Sequence, residues 1–241
     1  MDAARGGPQE IPRPPRARQG GPPPWAHLID TDPALRLADV RRAFDDLSVD
    51  RSITAMLPDI RRSAVAVIVS ERGELDASGD VGGGLELLLT RRAWGMRTHR
   101  GEVAFPGGAE DPGDEFPIGT ALREATEEVG LDRDTVEVIG ALDPLTTFTS
   151  DRVVIPVVGM TMRRPAMEAS PVEVDAVLHV PLAELLHPDC YHEERWSWGE
   201  DFEFRSAADH PMHFFDLHGD TIWGATAAMV HQLLTVVLVG R

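Results

Sequence analysis

Apolar residues along this chain fall mostly in short runs that are typical of strands, separated by a few longer periodic segments that are typical of helices. The β-branched run at 64–70, the leucine-rich run at 85–90 and the apolar run at 152–160 predict buried strands. Further strands are predicted at 102–105, 135–142, 172–180, 191–198, 202–205 and 213–217. Because runs of strands are interrupted by a few helices, the predicted fold is a mixed α/β domain in which sheet and helices form layers.

Helices are predicted where apolar residues recur on one face, at 32–47, 117–129 and 182–186. The second of these has Pro117 in its first turn and Gly130 just after its end, as helix termini often do. The segment 222–239 contains 18 residues without a charged side chain. Its length allows either a buried helix or a single membrane span, and the polar residues His231 and Gln232 in its middle favour a buried helix.

The first 24 residues differ in composition from the rest of the chain. They contain seven of the 19 prolines and four of the 22 glycines, with very few large apolar side chains. Such a segment buries too little surface to offset its loss of conformational entropy, so residues 1–24 are predicted to be a disordered tail. Residues 25–241 are predicted to form a single domain.

The charge pattern narrows the possible chemistry. All 23 basic residues are arginine, which excludes Schiff-base catalysis by lysine and phosphate loops that require a lysine. The formal charge of −17 argues against broad binding to nucleic acid or to an anionic membrane. The single cysteine, Cys190, cannot form an intramolecular disulfide, and no secretory apolar region is evident, so the expected location is cytoplasmic.

Three carboxylates share one face of the predicted helix at 117–129, since Glu124, Glu127 and Glu128 are spaced i, i+3 and i+4. Like charges at these spacings destabilise a helix by about 0.2–0.5 kcal/mol per pair, and acids near its C-terminus oppose the helix dipole. A divalent cation such as Mg²⁺ or Mn²⁺ would reverse both penalties. The alternative is a solvated helix face on which Arg123 pairs with Glu127.

The residues around this helix resemble the Nudix box, G-x5-E-x7-R-E-U-x-E-E-x-G-U, in which U is an apolar residue. The matching positions are Glu115, Arg123, Glu124, Ala125, Glu127, Glu128, Gly130 and Leu131. The chain departs from the pattern at the front, where six residues instead of five separate Gly108 from Glu115. Asp114 lies five residues after Gly108 and is therefore the alternative occupant of the acidic position.

This resemblance implies a Nudix fold, in which a mixed sheet is sandwiched between helices. It also implies metal-dependent hydrolysis of a nucleoside diphosphate linked to another group. The implied ligands of Mg²⁺ or Mn²⁺ are Glu124, Glu127 and Glu128. Arg123 is implied to orient these glutamates, and Glu115 or Asp114 to support the turn between loop and helix.

An arginine-rich segment precedes the box, and we call residues 91–101 the arginine loop. Four of the 23 arginines fall between Arg91 and Arg100. Because the guanidinium group binds phosphate in a bidentate manner, this concentration suits an anionic substrate. The alternative is a loop whose arginines pair with surface acids.

The loop and the residues around it resemble the signature of Nudix coenzyme A pyrophosphatases, L-L-T-x-R-(S/A)-x3-R-x3-G-x3-F-P-G-G. Its fixed positions are filled by Leu88, Leu89, Thr90, Arg92, Ala93, Arg97, Gly101, Phe105, Pro106, Gly107 and Gly108. The resemblance implies hydrolysis of coenzyme A or its derivatives to 3′,5′-ADP and 4′-phosphopantetheine. The residues implied to bind the substrate are Arg92, Arg97, Gly101, Gly107 and Gly108.

Two further residues are candidates for chemistry. Nudix enzymes often take their general base from a glutamate outside the box, and Glu173, just before the apolar run at 174–180, is the candidate here. An ordinary surface glutamate is the alternative. His99 lies within the arginine loop, where it either contacts phosphate or is simply a polar loop residue.

The sequence therefore predicts a metal-dependent diphosphate hydrolase that acts on coenzyme A or acyl-coenzyme A. Its expected partner is a small nucleotide substrate, with no nucleic acid and no membrane. Two alternatives remain: a Nudix hydrolase for another substrate, such as ADP-ribose or a dinucleotide, and a Nudix module that binds a nucleotide without catalysis. Three mutually repelling carboxylates argue against the second alternative, because binding alone does not need them.

Overall fold

The computed structural model of the protein describes residues 5–31, 34–45, 61–73, 84–147, 152–197 and 210–240. The predicted mixed α/β class is confirmed. The helices are α1 (Leu37–Ala43), α2 (Ile118–Val129), α3 (Leu182–Leu185) and α4 (Gly224–Leu238), with short 3-10 turns at Ala26–Thr31 and Arg133–Thr135. The strands are β1 (Arg18–Gln19), β2 (Arg61–Glu71), β3 (Leu85–Arg92), β4 (Val103–Ala104), β5 (Gly107–Ala109), β6 (Glu137–Ala141), β7 (Leu145–Thr147), β8 (Arg152–Thr161), β9 (Val174–Pro181), β10 (Tyr191–Trp196), β11 (His210–Asp216) and β12 (Thr221–Ile222).

Contacts divide the chain into two compact units. The central unit consists of residues 34–183, and the terminal unit combines the residues before 34 with residues 184–239. Strand pairing between the two ends of the chain holds the terminal unit together, and such a pairing leaves no trace in local hydropathy. The single domain expected from residue 25 onwards stays a prediction.

The sheet of the central unit is mixed. Its main strand order is β4-β3-β2-β8-β6, and β5, β7 and β9 pair with β2, β8 and β3. The β2 and β8 strands are parallel along 61–70 and 152–161, whereas the other pairs in this sheet are antiparallel. The β3–β9 pairing shifts register between Arg91 and Arg92, so the ladder is irregular where the arginine loop begins.

Helix α2 packs on this sheet through small side chains. A common buried cluster contains Ala64, Ala66 and Ile68 of β2 together with Ala121, Ala125 and Val129 of α2. Because alanine allows the helix and the strand to approach closely, α2 is fixed against β2 and β5. The acidic residues of α2 are thereby held beside the glycines of β5.

Most of the predicted elements are found close to their expected bounds. Strand β2 extends the prediction at 64–70, α2 begins one residue later than predicted, and α1 covers only part of 32–47. The strand predicted at 202–205 lies outside the described residues. The short strands β1, β5, β7 and β12 were not predicted, because two or three residues carry no periodic pattern and are defined by their partners.

The disorder expected of residues 1–24 from their composition stays a prediction, and in the structure residues from 5 onwards form hydrogen bonds with the C-terminal part of the chain. The Gly6 N–H donates to the carbonyl of Leu217 at 2.7 Å, and β1 pairs antiparallel with β10. The buried Gln9 side chain donates to Asp220 Oδ1 at 2.8 Å and accepts from the Thr221 N–H at 2.9 Å. Hydrogen bonds to the C-terminal part of the chain thus replace the hydrophobic burial that the segment lacks.

The uncharged segment near the C-terminus forms α4, as predicted, and several of its apolar side chains are buried. Its polar residue His231 stacks on His213 with ring centroids 3.9 Å apart and lies 5.1 Å from Trp25. No helix among the described residues combines the length and the hydropathy that crossing a membrane requires.

The role of the N-terminal segment can be tested with two glutamines that differ in burial. Gln9→Ala removes both buried hydrogen bonds, and we expect the free energy of unfolding to fall by about 1–3 kcal/mol in chemical denaturation. Gln19→Ala, on the exposed strand β1, is the matched control and should change stability by less than about 0.5 kcal/mol. Equal effects of the two substitutions would show that the segment does not dock through Gln9.

Candidate functional site

The end of α2 is held in place by a separate segment of the chain. The helix terminates at Gly130, whose N–H donates to the carbonyl of Thr126 at 2.9 Å. The free carbonyls of Glu128 and Val129 accept hydrogen bonds from the N–H groups of Ser170 and Glu168, at 2.8 and 2.9 Å. We call residues 168–173 the capping segment, because it satisfies the last carbonyls of the acidic helix.

Glu128 is the most deeply buried of the three helix glutamates, with only 4% of its surface exposed. Its Oε2 atom accepts the Gly107 N–H at 3.2 Å, and its Oε1 atom lies 3.9 Å from Arg92 Nη1. Burial is the main reason that its pKa is raised to about 7, and the negative charges of Glu124 and Glu173 add to the effect. The Gly107 N–H and Arg92 act in the opposite direction but do not compensate.

Glu124 lies against the backbone of β5. A Cβ atom placed on Gly108 would come within 2.5 Å of the Glu124 carboxylate, so only glycine permits this approach. Burial raises the pKa of Glu124, opposed by Arg123 and reinforced by the charges of Glu127 and Glu173. Two carboxylates, Glu124 and Glu128, therefore sit in surroundings that disfavour their negative charge.

Glu127 has a different environment from the other two glutamates. Its side chain is 59% exposed, and its Oε2 atom lies 3.1 Å from Arg123 Nη1. This pair is the one expected if the helix face were simply solvated. The structure thus buries Glu128 and partly buries Glu124 near β5, while Glu127 stays at the surface beside them.

Arg123 connects the helix to the loop before it. Its guanidinium donates to Asp114 and to the carbonyl of Ala109 and lies 3.0 Å from Glu124 Oε1. The Arg123 hydrogen bonds are the largest cause of the low pKa of Asp114, about 2, with support from the Thr120 hydroxyl. Asp114, rather than Glu115, therefore occupies the position that faces the arginine, and the extra residue of the motif falls after it.

Glu173 lies at the end of the capping segment, immediately before β9. It is exposed, and its negative charge is close enough to contribute to the raised pKa of both Glu124 and Glu128. Its backbone carbonyl accepts the Ala93 N–H at 2.8 Å. The candidate general base is thus placed beside the buried carboxylates and is tied to the start of the arginine loop.

The arginine loop brings one of its two predicted substrate-binding arginines directly to the acidic cluster. Arg92 ends β3, and its Nε atom is buried without a hydrogen-bond partner among the described residues. A buried N–H group without a partner is costly, which makes this atom a candidate donor to a bound anion. Arg97 is instead exposed, and no ion pair joins it to another part of the chain that the structure describes.

The conformation of the loop depends on Gly101. Its φ of +68° lies in the left-handed region, and its N–H donates to the carbonyl of Arg92 at 3.1 Å. A Cβ atom at this position would lie 2.4 Å from Cη2 of Trp94, so the indole rests directly on the glycine backbone. Gly101 is therefore placed to shape the loop around Arg92.

In the structure, the side chain of His99 contacts a residue of its own loop, not the helix glutamates. Its Nδ1 atom lies 2.9 Å from Glu102 Oε2, and this hydrogen bond is the main cause of its raised pKa. Its φ of +56° is unusual for a residue other than glycine. The position agrees with a polar loop residue that stabilises the turn before β4.

The chemistry of the carboxylates fits a divalent cation. As the side chains lie, no group of three or more His, Cys, Asp or Glu among the described residues is arranged to hold an ion. The buried Glu128 and the partly buried Glu124, both with raised pKa values, nevertheless form with a third nearby carboxylate a set of hard oxygen donors, and a cation would relieve their mutual repulsion. Glu124 and Glu128 of α2 lie within electrostatic reach of Glu173, and Glu127 lies on the same helix beside them.

Comparison with known proteins gives consistent matches. Residues 60–202 match the family model described as NUDIX domain. The chain is similar to the uncharacterized Nudix hydrolase NudL of Photorhabdus laumondii, with 41% identity over 147 residues, 61% of this chain and 74% of that protein. NudL of Escherichia coli strain SMS-3-5 is 42% identical over 147 residues, 61% of this chain and 72% of that protein. A MutT/nudix family protein from Enterococcus faecalis has a TM-score of 0.46 and 15% identity, covering 84% of this chain and 74% of that one.

The assignment of the acidic loop position to Asp114 can be tested by removing one charge at a time. Asp114→Asn weakens the charged hydrogen bonds to Arg123, and we expect the free energy of unfolding to fall by about 1–3 kcal/mol. Glu115→Gln is the matched control and should cost less than about 0.5 kcal/mol. Denaturant titrations near pH 7 measure both; a larger loss for Glu115→Gln would reverse the assignment.

The burial of Glu128 predicts a dependence of stability on pH. Because its pKa is about 7 in the folded protein, above the ordinary glutamate value, the folded state binds more protons than the unfolded state between about pH 4.5 and 7. Stability is therefore lost as the pH rises through this window. Glu128→Gln cannot ionise, so with a chelator present we expect it to be about 2 kcal/mol more stable than the wild type at pH 8.

At pH 4 this difference between Glu128→Gln and the wild type should disappear, because the carboxyl is then protonated in both states. Glu127→Gln, at an exposed position of the same helix, is the control and should gain far less at pH 8. Thermal or urea unfolding at the two pH values measures the effect. If the wild type is as stable as Glu128→Gln at pH 8, ionising the buried Glu128 does not destabilise the folded protein, and the prediction is wrong.

Proposed function

This chain belongs to the Nudix family, since the family model matches more than half of its residues, and we propose that it hydrolyses the diphosphate of coenzyme A or an acyl-coenzyme A. The coarser activity, hydrolysis of a nucleoside diphosphate derivative, is that of the family. The proposed products are 3′,5′-ADP and 4′-phosphopantetheine or its acyl derivative. Neither a nucleic acid nor a membrane has a part in this reaction, and the cytoplasmic location stays a prediction.

The proposed ligands of Mg²⁺ or Mn²⁺ are Glu124, Glu127 and Glu128. A bound ion of this kind would neutralise charge on the phosphoryl oxygens and lower the pKa of the attacking water. The raised pKa values of Glu124 and Glu128 support this assignment, because a cation would stabilise the negative charge that their surroundings disfavour. Rotation of the exposed Glu127 away from Arg123 would add the third carboxylate.

The protein's own residues would position the reactants. Arg123, through its contacts to Asp114 and Glu124, holds the loop and the helix in one orientation. Glu173 is proposed to accept a proton from the attacking water, since it is exposed and lies within electrostatic reach of both buried carboxylates. Arg92 would donate to a phosphoryl oxygen next to Glu128.

The observation that carries the choice of substrate is the arrangement of the arginine loop. Coenzyme A has a 3′-phosphate in addition to its diphosphate, so it needs more positive charge than ADP-ribose does. Arg92 offers a buried Nε without a partner, and Arg97 is exposed outside any ion pair to a described residue. One arginine can thus bind the diphosphate while the other remains for the additional phosphate.

Product analysis distinguishes the proposed substrate from its rivals. The purified protein is incubated with Mg²⁺ and, in parallel, with coenzyme A, ADP-ribose and a dinucleotide, and the products are separated by chromatography. We expect 3′,5′-ADP from coenzyme A at the highest kcat/KM of the three. Faster hydrolysis of ADP-ribose or the dinucleotide would make the chain a Nudix hydrolase of other specificity, and no hydrolysis of any would favour a binding module.

The metal assignment is tested in the same assay. Glu128→Gln should lower kcat by roughly 100-fold or more, the scale of losing one preorganised electrostatic interaction in a transition state. Glu168→Gln is the control, because Glu168 is exposed and contacts the helix through its backbone N–H, which the substitution keeps. If Glu128→Gln stayed folded and retained full turnover, the metal assignment would be wrong.

A further inference from the structure

Trp94 is an exposed tryptophan in the arginine loop, with 46% of its surface accessible. A single exposed apolar side chain is ordinary in itself, so the position of this ring decides what it can contact. The indole rests on the backbone of Gly101, where a Cβ atom would lie 2.4 Å from Cη2. One part of the ring is thus supported by the loop while nearly half of its surface faces solvent.

A short chain of contacts connects this ring to the acidic cluster. Glu128 lies 3.9 Å from Arg92 Nη1, and the carbonyl of Arg92 accepts the Gly101 N–H at 3.1 Å. Trp94 in turn rests on Gly101. The exposed indole is therefore linked to Arg92 through Ala93 along the chain and through Gly101 across the loop.

A second exposed apolar side chain lies in the capping segment, just before β9. Val172 has 76% of its surface accessible, and Glu173, which follows it, accepts the Ala93 N–H at 2.8 Å. Trp94 follows Ala93, so the two exposed apolar residues flank the same hydrogen bond between the arginine loop and the capping segment. Two apolar side chains are thus exposed where the arginine loop and the capping segment meet, among charged residues.

We propose that Trp94 stacks on the purine base of the substrate's nucleotide half and determines specificity for it. This inference rests on the proposed function, because it takes the diphosphate to be held at Arg92. The base is joined to the diphosphate through one ribose, so a base-sized aromatic surface near the phosphate contacts is where it is needed. Stacking on an indole suits a purine, which has a π face, better than the flexible and non-aromatic pantetheine chain.

Two ligands measure the contribution of the base: AMP, which carries adenine, and ribose 5-phosphate, which lacks it. Binding of each to the full chain is followed by calorimetry with Mg²⁺ present. We expect the wild type to bind AMP about tenfold more tightly than ribose 5-phosphate, the scale of one base stacked on an aromatic side chain. Trp94→Leu, which keeps an apolar side chain without the ring, should bring the two affinities together.

Three controls separate stacking from a structural role. Trp94→Phe retains a ring and should keep most of the preference for AMP. Met162→Ala removes another exposed apolar side chain, 70% accessible, and should leave the preference unchanged. Binding of 4′-phosphopantetheine to Trp94→Leu should equal that of the wild type, because the proposed contact is with the nucleotide half.

The proposal is overturned if Trp94→Leu keeps the full preference for AMP, if the wild type has no such preference or binds neither ligand, or if the substitution weakens 4′-phosphopantetheine instead. These binding measurements need no turnover. They are therefore distinct from the formation of 3′,5′-ADP, on which the proposed function depends. If the wild type stacks AMP on Trp94 but does not cleave coenzyme A, the stacking proposal stands and coenzyme A is not the substrate.

Discussion

The withdrawal of two helix carboxylates from water, complete for Glu128 and partial for Glu124, is the constraint on which the rest of the site depends. Glu124 and Glu128 have raised pKa values chiefly because they are removed from water, and nearby negative charges add to that cost. The backbone N–H of Gly107 and the guanidinium of Arg92 offset only part of it. Contacts with neighbouring segments must offset the free-energy cost of keeping these charges away from water.

That support comes from both directions along the chain. Arg123 fastens the helix to the preceding loop through Asp114 and the carbonyl of Ala109. The capping segment, residues 168–173, satisfies the last helix carbonyls and ends at Glu173, which also accepts a hydrogen bond from the arginine loop. Since the proposed metal ligands, the candidate base and the phosphate-binding arginine share these contacts, a disturbance of one is expected to move the others.

The sequence was sufficient for the parts of the fold and site that local patterns specify. Helical spacing located α2, and motif spacing selected Arg92 and the glutamates that the structure brings together. It could not decide between Asp114 and Glu115, because that choice depends on where the Arg123 side chain points. The capping segment and the support of Trp94 by Gly101 also left no signal, since both depend on contacts between distant residues. Composition also gave no indication of the hydrogen bonds that residues 5–24 make to the C-terminal part of the chain.

The pairing of β1 with β10 has a consequence for the order in which the chain folds. Residues 34–183 form a contiguous unit that can fold as soon as it has been synthesised. Among the described residues, the segment 5–21 hydrogen-bonds to Glu184, Glu193, Glu194 and Asp216–Thr221, all of which are synthesised after the central unit. These long-range contacts therefore form late. A proline-rich, highly polar sequence suits the interval before they form, because it stays solvated and resists aggregation until the late strands arrive.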